Sequence, residues 1–301
     1  MNSIDQLISR LNIPYRTDCT FSDLTTFKAG GKVDLVLYPE SEEQCMELIA
    51  LANKDNIPLI FLGNGSNVLG SDHGYRGIIV RTDRLDKIEL CENDVLKVGA
   101  GVRGAKVSSF AAKNSLSGIE FLHGIPGTIG GAVFMNAGAY DGTMDQVVLQ
   151  TRYLDEEGKL HVLKSEDHNF GYRKSFFMEH PKYLILDVML QLKPGNKDEI
   201  LSRIDDFQQR RREKQPLEYP SAGSTFKRPE GHFAGKLIQD AGLGGYSIGG
   251  AQVSNKHCGF IINSNNATTG DILSLIRYVQ DEVMSQFGVK LECEVRFLGE
   301  E

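Results

Sequence analysis

Apolar residues recur along this chain at two periods, and the switching between them lays out the expected elements. Ser41-Glu42-Glu43-Gln44 has the form of a capping box, and Cys45, Leu48, Ile49 and Ala52 behind it share one helical face. Val33 to Tyr38 before that helix and Pro58 to Leu62 after it read as strands, which predicts a β-α-β unit. Gly77 to Thr82 and Val95 to Val98 read as further strands, and Ala105 to Asn114 as a helix. From Val147 the pattern turns strand-rich: Val147 to Leu154, a turn at Asp155-Glu156-Glu157-Gly158, then Leu160 to Leu163, and Tyr183 to Leu192. Ile200, Leu201, Ile204 and Phe207 place a helix from Asp198 to Lys214. Ile272, Leu275, Ile276, Val279 and Val283 place another over Asp271 to Phe287, with Gly288 as its stop signal. Val289 to Leu298 closes the chain as a predicted strand.

Glycine interrupts this pattern in places where the backbone itself is the expected functional surface. Gly124-Ile125-Pro126-Gly127-Thr128-Ile129-Gly130-Gly131 runs into Met135-Asn136-Ala137-Gly138-Ala139-Tyr140. Without Cβ atoms, main-chain amides can approach an electron-rich ligand closely, and such amide concavities hold phosphates. The segment reads as a rigid, glycine-lined cofactor wall anchored by Ile125, Ile129, Val133 and Phe134. Gly63-Asn64-Gly65-Ser66-Asn67 follows an expected strand directly and reads as a second, phosphate-gripping loop. It is not a dinucleotide fingerprint, because Val68 stands at the third glycine position and a strand follows instead of a helix. Gly99-Ala100-Gly101-Val102-Arg103-Gly104 does satisfy G-x-G-x-x-G. It reads as a chance match, since Arg103 suits a helix entrance poorly and no regular βαβ series follows.

Composition narrows the class. A chain of 301 residues predicts about two domains, and 41% hydrophobic with 24% charged residues describes an ordinary globular protein. The net charge of -7 argues against a nucleic-acid partner, which would need a basic surface. Cys19, Cys45, Cys91, Cys258 and Cys293 are scattered and never spaced C-x-x-C. That pattern predicts reduced thiols in the cytoplasm, no metal site and no disulfide framework. No segment has transmembrane length, so membrane insertion is not expected.

Three short segments hold candidate catalytic groups. Gly171-Tyr172-Arg173 places a cation beside a glycine. Ser221-Ala222-Gly223-Ser224-Thr225 presents hydroxyls in a loop. Leu291-Glu292-Cys293-Glu294-Val295-Arg296-Phe297 is a predicted strand whose two carboxylates and arginine share one face. The basic run at Arg210-Arg211-Arg212 complements a helix C-terminus, whereas Lys214, before Gln215-Pro216, is placed to serve a ligand phosphate.

Taken in order, these motifs resemble the UDP-N-acetylenolpyruvoylglucosamine reductase family over nearly the whole chain. The resemblance runs from Thr26-Phe27-Lys28-Ala29-Gly30-Gly31 to Glu294-Val295-Arg296-Phe297. It implies an α+β, vanillyl-alcohol-oxidase-like (PCMH-type) FAD-binding fold of two lobes plus a C-terminal α+β substrate domain. The implied segments are 1–82, completed by 289–301, then 83–200, and 201–288. It also implies that FAD is held by Gly63, Asn64, Gly65, Ser66, Asn67, Gly124, Ile125, Pro126, Gly127, Thr128, Gly130, Gly131, Asn136, Gly138 and Ala139. That binding is expected to be non-covalent, with His123 the nearest potential tether.

In the reaction so implied, NADPH is the reductant and the vinyl ether of an enolpyruvyl UDP-sugar accepts hydride from FAD N5 at its β-carbon. Arg173 and Glu294 stabilise the developing enolate-like charge, and Ser224 protonates the α-carbon, with Ser221 and Thr225 as neighbouring hydroxyls. Lys214, Arg228 and His257 are the implied substrate contacts. The short run from Lys174 to the strand at Tyr183 resembles the subtype without an extra tyrosine loop. A monomer is expected. Two other readings stand beside this one: a different FAD oxidase or dehydrogenase of the same superfamily, and a non-catalytic nucleotide-binding module.

Overall fold

The computed structural model describes residues 3–299. The described chain forms two compact units. The first takes the chain up to Thr17, then Leu35–Asn64 and Gly77–Arg210; the second takes Asp18–Asp34, Gly65–Arg76 and the chain from Arg211 onward. These borders do not coincide with divisions at 82 and 200.

In the first unit, the strand Leu59–Leu62 runs parallel to Ile78–Arg81, and Tyr15–Arg16 pairs antiparallel with Val36–Leu37. The helix Glu42–Lys54 forms where its periodicity places it, with Cys45, Leu48, Ile49 and Ala52 all buried. Only half of the expected capping box is made. Ser41 accepts the Gln44 amide, but the Gln44 side chain accepts from Glu40 N and donates to Leu11 O. Leu48 packs with Ile4, Leu7 and Ile8 of the helix Ser3–Leu11 in one core.

The same unit holds an antiparallel five-stranded sheet in the order Leu160–Lys164, Val148–Leu154, Leu184–Gln191, Val95–Gly99, Ile88–Leu90. Its inner face (Leu96, Val98, Tyr153, Val188, Leu190) packs with Val107 and Ala111 of the helix Gly104–Lys113 and with Ile129 and Val133 of the helix Ile129–Phe134. The last helix gives the rigid, glycine-lined wall expected there a regular form over Ile129–Phe134. Thr128 has extended backbone and its hydroxyl accepts the Gly131 amide, so it serves as an N-cap.

The G-x-G-x-x-G match has a packing explanation. A Cβ on Gly99 would lie 2.2 Å from Leu85 O, one on Gly101 1.8 Å from Thr82 O, and one on Gly104 2.9 Å from Leu122 O. These glycines let backbone approach backbone, as they do in many closely packed turns.

The second unit is built on the helix Thr269–Phe287, whose Ile272, Leu275, Ile276, Val279 and Val283 face its core. Thr268 and Asp271 complete a reciprocal capping box at its start, and Gly288, at φ +69°, ends it. Three short antiparallel strands, Ser247–Ile248, Ala251–Val253 and Ile261–Asn263, lie against that core. The predicted strand over Val289 to Leu298 is shorter than expected. Only Arg296–Leu298 is regular, pairing in parallel with Val68–Gly70. Among the described residues no helix is long and apolar enough to cross a membrane, and no cluster of His, Cys, Asp and Glu is arranged to hold a metal ion.

Candidate active site

Some candidate residues lie in the first unit and others in the second, and each group is built by local chemistry. In the first unit, the loop after the strand Leu59–Leu62 meets the glycine segment. Asn64 Nδ2 donates to Pro126 O. Gly63 faces Thr128 so closely that an added Cβ would lie 2.4 Å from Thr128 Oγ1. Thr128 itself is buried, and Gly104 N donates to Gly127 O at 3.0 Å, which pins the segment to the start of the earlier helix Gly104–Lys113. The glycine segment offers fewer amides than the sequence suggested. Ile129 N donates to Val102 O and Gly130 N to Ala100 O, and a Cβ on Gly130 would strike Ala100. Gly131 N is engaged more weakly, by Thr128 Oγ1 at 3.5 Å; the residue is exposed, and a Cβ there would meet nothing closer than 3.6 Å.

Several observations fit a bound dinucleotide in this unit. The amides of Gly63 and Asn64 donate to no group among the described residues. Nδ1 of His123, next to Gly124, is buried without a partner. Burial also pushes the His123 imidazole below its usual pKa, with Asp205 opposing, so the ring is neutral near pH 7. In the second unit, Gly65 (φ +65°) lies against Leu24 O, its own carbonyl accepts from Thr26 N, and the amides of Gly65 and Ser66 likewise donate to no described group. Such unengaged amides in a glycine-rich loop suit pyrophosphate oxygens.

Asn136, Gly138 and Ala139 lie beyond the helix Ile129–Phe134. Gly138 and Ala139 pair with Thr143 and Gly142 in a small hairpin. Asn136 is buried with its side chain directed into protein: Nδ2 donates to Gly171 O and Oδ1 accepts from Asp145 N. Arg173 sits at φ +51° in a tight turn, half-buried, with Nη2 3.4 Å from Gly138 O and its guanidinium 5.2 Å from the Tyr172 ring centroid.

The second unit brings Ser224 and Glu294 onto neighbouring stretches. Glu294 N donates to Thr225 O at 2.8 Å, Lys227 N donates to Glu292 O at 2.8 Å, and Phe226 bridges antiparallel to Cys293. Asn67 Nδ2 supports Glu294 from the other side by donating to its carbonyl, and Arg296 N donates to Asn67 O. Ser224 is exposed beside Gly223, whose Cβ position is open at φ +76°. Thr225 cannot stand in for it: it is fully buried and its hydroxyl accepts from Ile261 N. Glu292 does not join Glu294 in a shared face; it is exposed and paired with Lys227.

Lys214 ends its helix on the surface. Arg228 is exposed, donates to His232 O, and lies 4.0 Å over the Phe233 ring. Nδ1 of His257 accepts from Gly259 N, which leaves the proton on Nε2 as a potential donor; burial lowers this imidazole's pKa. Sequence reading gave no signal for the Asn67–Glu294 contact or for the inward direction of Asn136, since both depend on residues distant in the chain.

Residues 33–164 match the family model described as "FAD binding domain", and residues 215–298 match that of "UDP-N-acetylenolpyruvoylglucosamine reductase, C-terminal domain". The protein is an FAD oxidoreductase, an FAD-binding domain joined to a C-terminal domain of the reductase type. Among its relatives, the UDP-N-acetylenolpyruvoylglucosamine reductase of a Clostridium botulinum strain is 49% identical over 280 residues, 93% of this chain and 91% of that protein. That of Clostridium beijerinckii is 48% identical over 284 residues, 94% of this chain and 93% of that protein. The crystal structure of UDP-N-acetylenolpyruvylglucosamine reductase from Thermus caldophilus is similar with a TM-score of 0.79 and 33% identity, covering 95% of this chain and 98% of that one. The chain belongs to the UDP-N-acetylenolpyruvoylglucosamine reductase family.

Proposed function

We propose that this chain reduces the enolpyruvyl group of UDP-N-acetylenolpyruvoylglucosamine to give UDP-N-acetylmuramate, with NADPH as the reductant, for peptidoglycan precursor synthesis. Bound FAD supplies the chemistry of accepting hydride from the nicotinamide and passing it to the vinyl ether. The protein's part is to hold charge and deliver a proton. Arg173 provides a fixed cation for the substrate carboxylate as it gains enolate character, and Glu294 adds a hydrogen bond there when protonated. Ser224 Oγ–H transfers its proton to the α-carbon, completing addition of hydride and proton across the C=C bond. A hydroxyl is a weak acid, but a carbanion-like carbon is a strong enough base to take its proton.

The observation that carries this reading is the backbone pairing of 225–227 with 292–294. It sets an exposed serine and a half-buried carboxylate on adjacent stretches of one unit, in the family whose relatives are named for this reaction. Lys214, Arg228 and His257 Nε2 are proposed to hold the sugar nucleotide, the two cations on its diphosphate. The proposed functional division is 1–82 with 289–301, then 83–200, and 201–288; the return of the C-terminal strand to the first of these is supported by the parallel pairing of Arg296–Leu298 with Val68–Gly70. A cytoplasmic monomer is proposed with it, in keeping with the lack of any disulfide among the described cysteines.

The test is anaerobic stopped-flow on the wild type and Ser224→Ala. NADPH should bleach the flavin in both proteins at similar rates. Reoxidation by the enolpyruvyl nucleotide should be at least ~10²–10⁴-fold slower in the variant, the range general acid catalysis covers. Near-normal reoxidation would remove Ser224 from the reaction. Failure of the wild type to reoxidise with this nucleotide would remove the substrate.

A further inference from the structure

The turn that carries Arg173 is tied to the segment Phe134–Gly138 at several points. Gly171 and Lys174 exchange backbone hydrogen bonds of 3.1 Å in both directions, which closes a tight hairpin with Tyr172 and Arg173 at its tip. Arg173 is held there at φ +51°, a left-handed conformation that a long side chain adopts only when its surroundings enforce it. Two buried side chains do the enforcing. Asn136 Nδ2 donates to Gly171 O at 3.0 Å, giving that carbonyl a second donor, and Ser175 Oγ donates to Phe134 O at 2.6 Å.

The orientation of the Asn136 amide is set by its partners. Gly171 O only accepts, and Asp145 N, 3.0 Å from Asn136 Oδ1, only donates. Both ends of the amide are thus engaged within the protein, and the residue itself is strained at φ +42° and almost wholly buried. A side chain so committed is a poor cofactor contact and a good brace.

The geometry points to Asn136 as a positioning residue for Arg173: with Ser175, it fastens the Arg173 turn to the segment Phe134–Gly138, so that the guanidinium is delivered in one place. This rests on the proposed role of Arg173 toward the substrate carboxylate. A group displaced by about 1 Å can lose on the order of 10²-fold in rate, and a turn released at Gly171 O would permit such a shift.

The test compares Asn136→Ala, Arg173→Ala and the double variant as FAD-loaded proteins, reading both half-reactions and the FAD dissociation constant. Asn136→Ala should leave FAD affinity and reduction by NADPH within about twofold of wild type, the scatter of independent sites. It should slow reoxidation by the enolpyruvyl nucleotide on the order of 10²-fold. Added to Arg173→Ala, it should slow reoxidation no further, a non-additivity that general loosening of the fold would not give. Ser175→Ala should show the same signature more weakly, and it carries the test if Asn136→Ala does not fold. Multiplicative losses in the double variant, or weakened FAD binding with normal reoxidation, would overturn the inference. If Arg173→Ala slows reoxidation and Asn136→Ala does not, the inference alone falls. If Arg173→Ala itself leaves reoxidation unchanged, the role of Arg173 falls and the inference with it.

Discussion

Gly63→Ala isolates the contact on which the first unit's glycine loops depend. The added Cβ would lie 2.4 Å from Thr128 Oγ1, about an ångström inside ordinary contact. Thr128 has little freedom to yield, because it is 2% exposed and its hydroxyl caps the helix Ile129–Phe134. Overpacking of this kind costs about 1–3 kcal/mol. If that strain is carried by the conformation that binds FAD, it weakens FAD roughly 5- to 150-fold at 1.4 kcal/mol per tenfold.

Thr128→Ala removes the obstructing atom, leaving the Thr128 Cβ 3.6 Å from the new methyl. On its own it should cost only about 0.5 kcal/mol, the low end for an N-cap, since the bond to Gly131 N is long at 3.5 Å. The double variant should therefore bind FAD nearly as well as Thr128→Ala alone. Thr128→Val, which keeps a group where the hydroxyl was, should give no such rescue. The assay is titration of apo-protein with FAD by flavin fluorescence, with thermal melts alongside. Losses that simply add in the Gly63→Ala/Thr128→Ala protein would refute the steric account.

Other expectations follow from the same geometry. Lys214→Ala and Arg228→Ala should each raise the nucleotide KM about tenfold or more, as expected for a lost charge-assisted bond, with kcat nearly unchanged because the contact is equal in ground and transition states; a fall in kcat at constant KM would contradict this. Acid precipitation should leave the yellow colour in the supernatant, and colour pelleting with the protein would show a covalent tether. Asp271 accepts from Thr268 N and Gly250 N, bonds that hold its carboxyl below the usual pKa. A folded pKa below the unfolded one stabilises the protein above about pH 4 and loses that effect as pH falls through the folded value. Denaturant midpoints of Asp271→Asn should thus vary less with pH below about 4 than those of wild type; equal slopes would refute the assignment.

Much of this protein was determined locally and is legible in its sequence. Cys45, Leu48, Ile49 and Ala52, and likewise Ile272 to Val283, share a face because helix geometry alone sets that spacing, and burial follows from it. Thr268, Asp271 and Gly288 bracket their helix by chemistry that acts over four residues at most. Motif order across the chain was enough to indicate the family and its flavin, because short motifs in a fixed succession survive whatever lies between them.

Tertiary structure alone decided what each glycine is for. Gly101 and Gly131 look alike as letters, yet a Cβ on the first would run into Thr82 O at 1.8 Å, whereas one on the second would meet only Thr128 Oγ1, at an ordinary 3.6 Å. The identity of the neighbour, not of the glycine, separates packing from ligand approach. The same reasoning applies to the polar groups. Ser224 and Thr225 are adjacent hydroxyls, but only the fold buries Thr225 against Ile261 N and leaves Ser224 exposed. Asn136, expected at the cofactor, turns inward to Gly171 and Asp145. Backbone propensity is written within a few residues. The direction of a side chain and the partner it meets are set by stretches such as 225–227 and 292–294, which only the folded chain brings together.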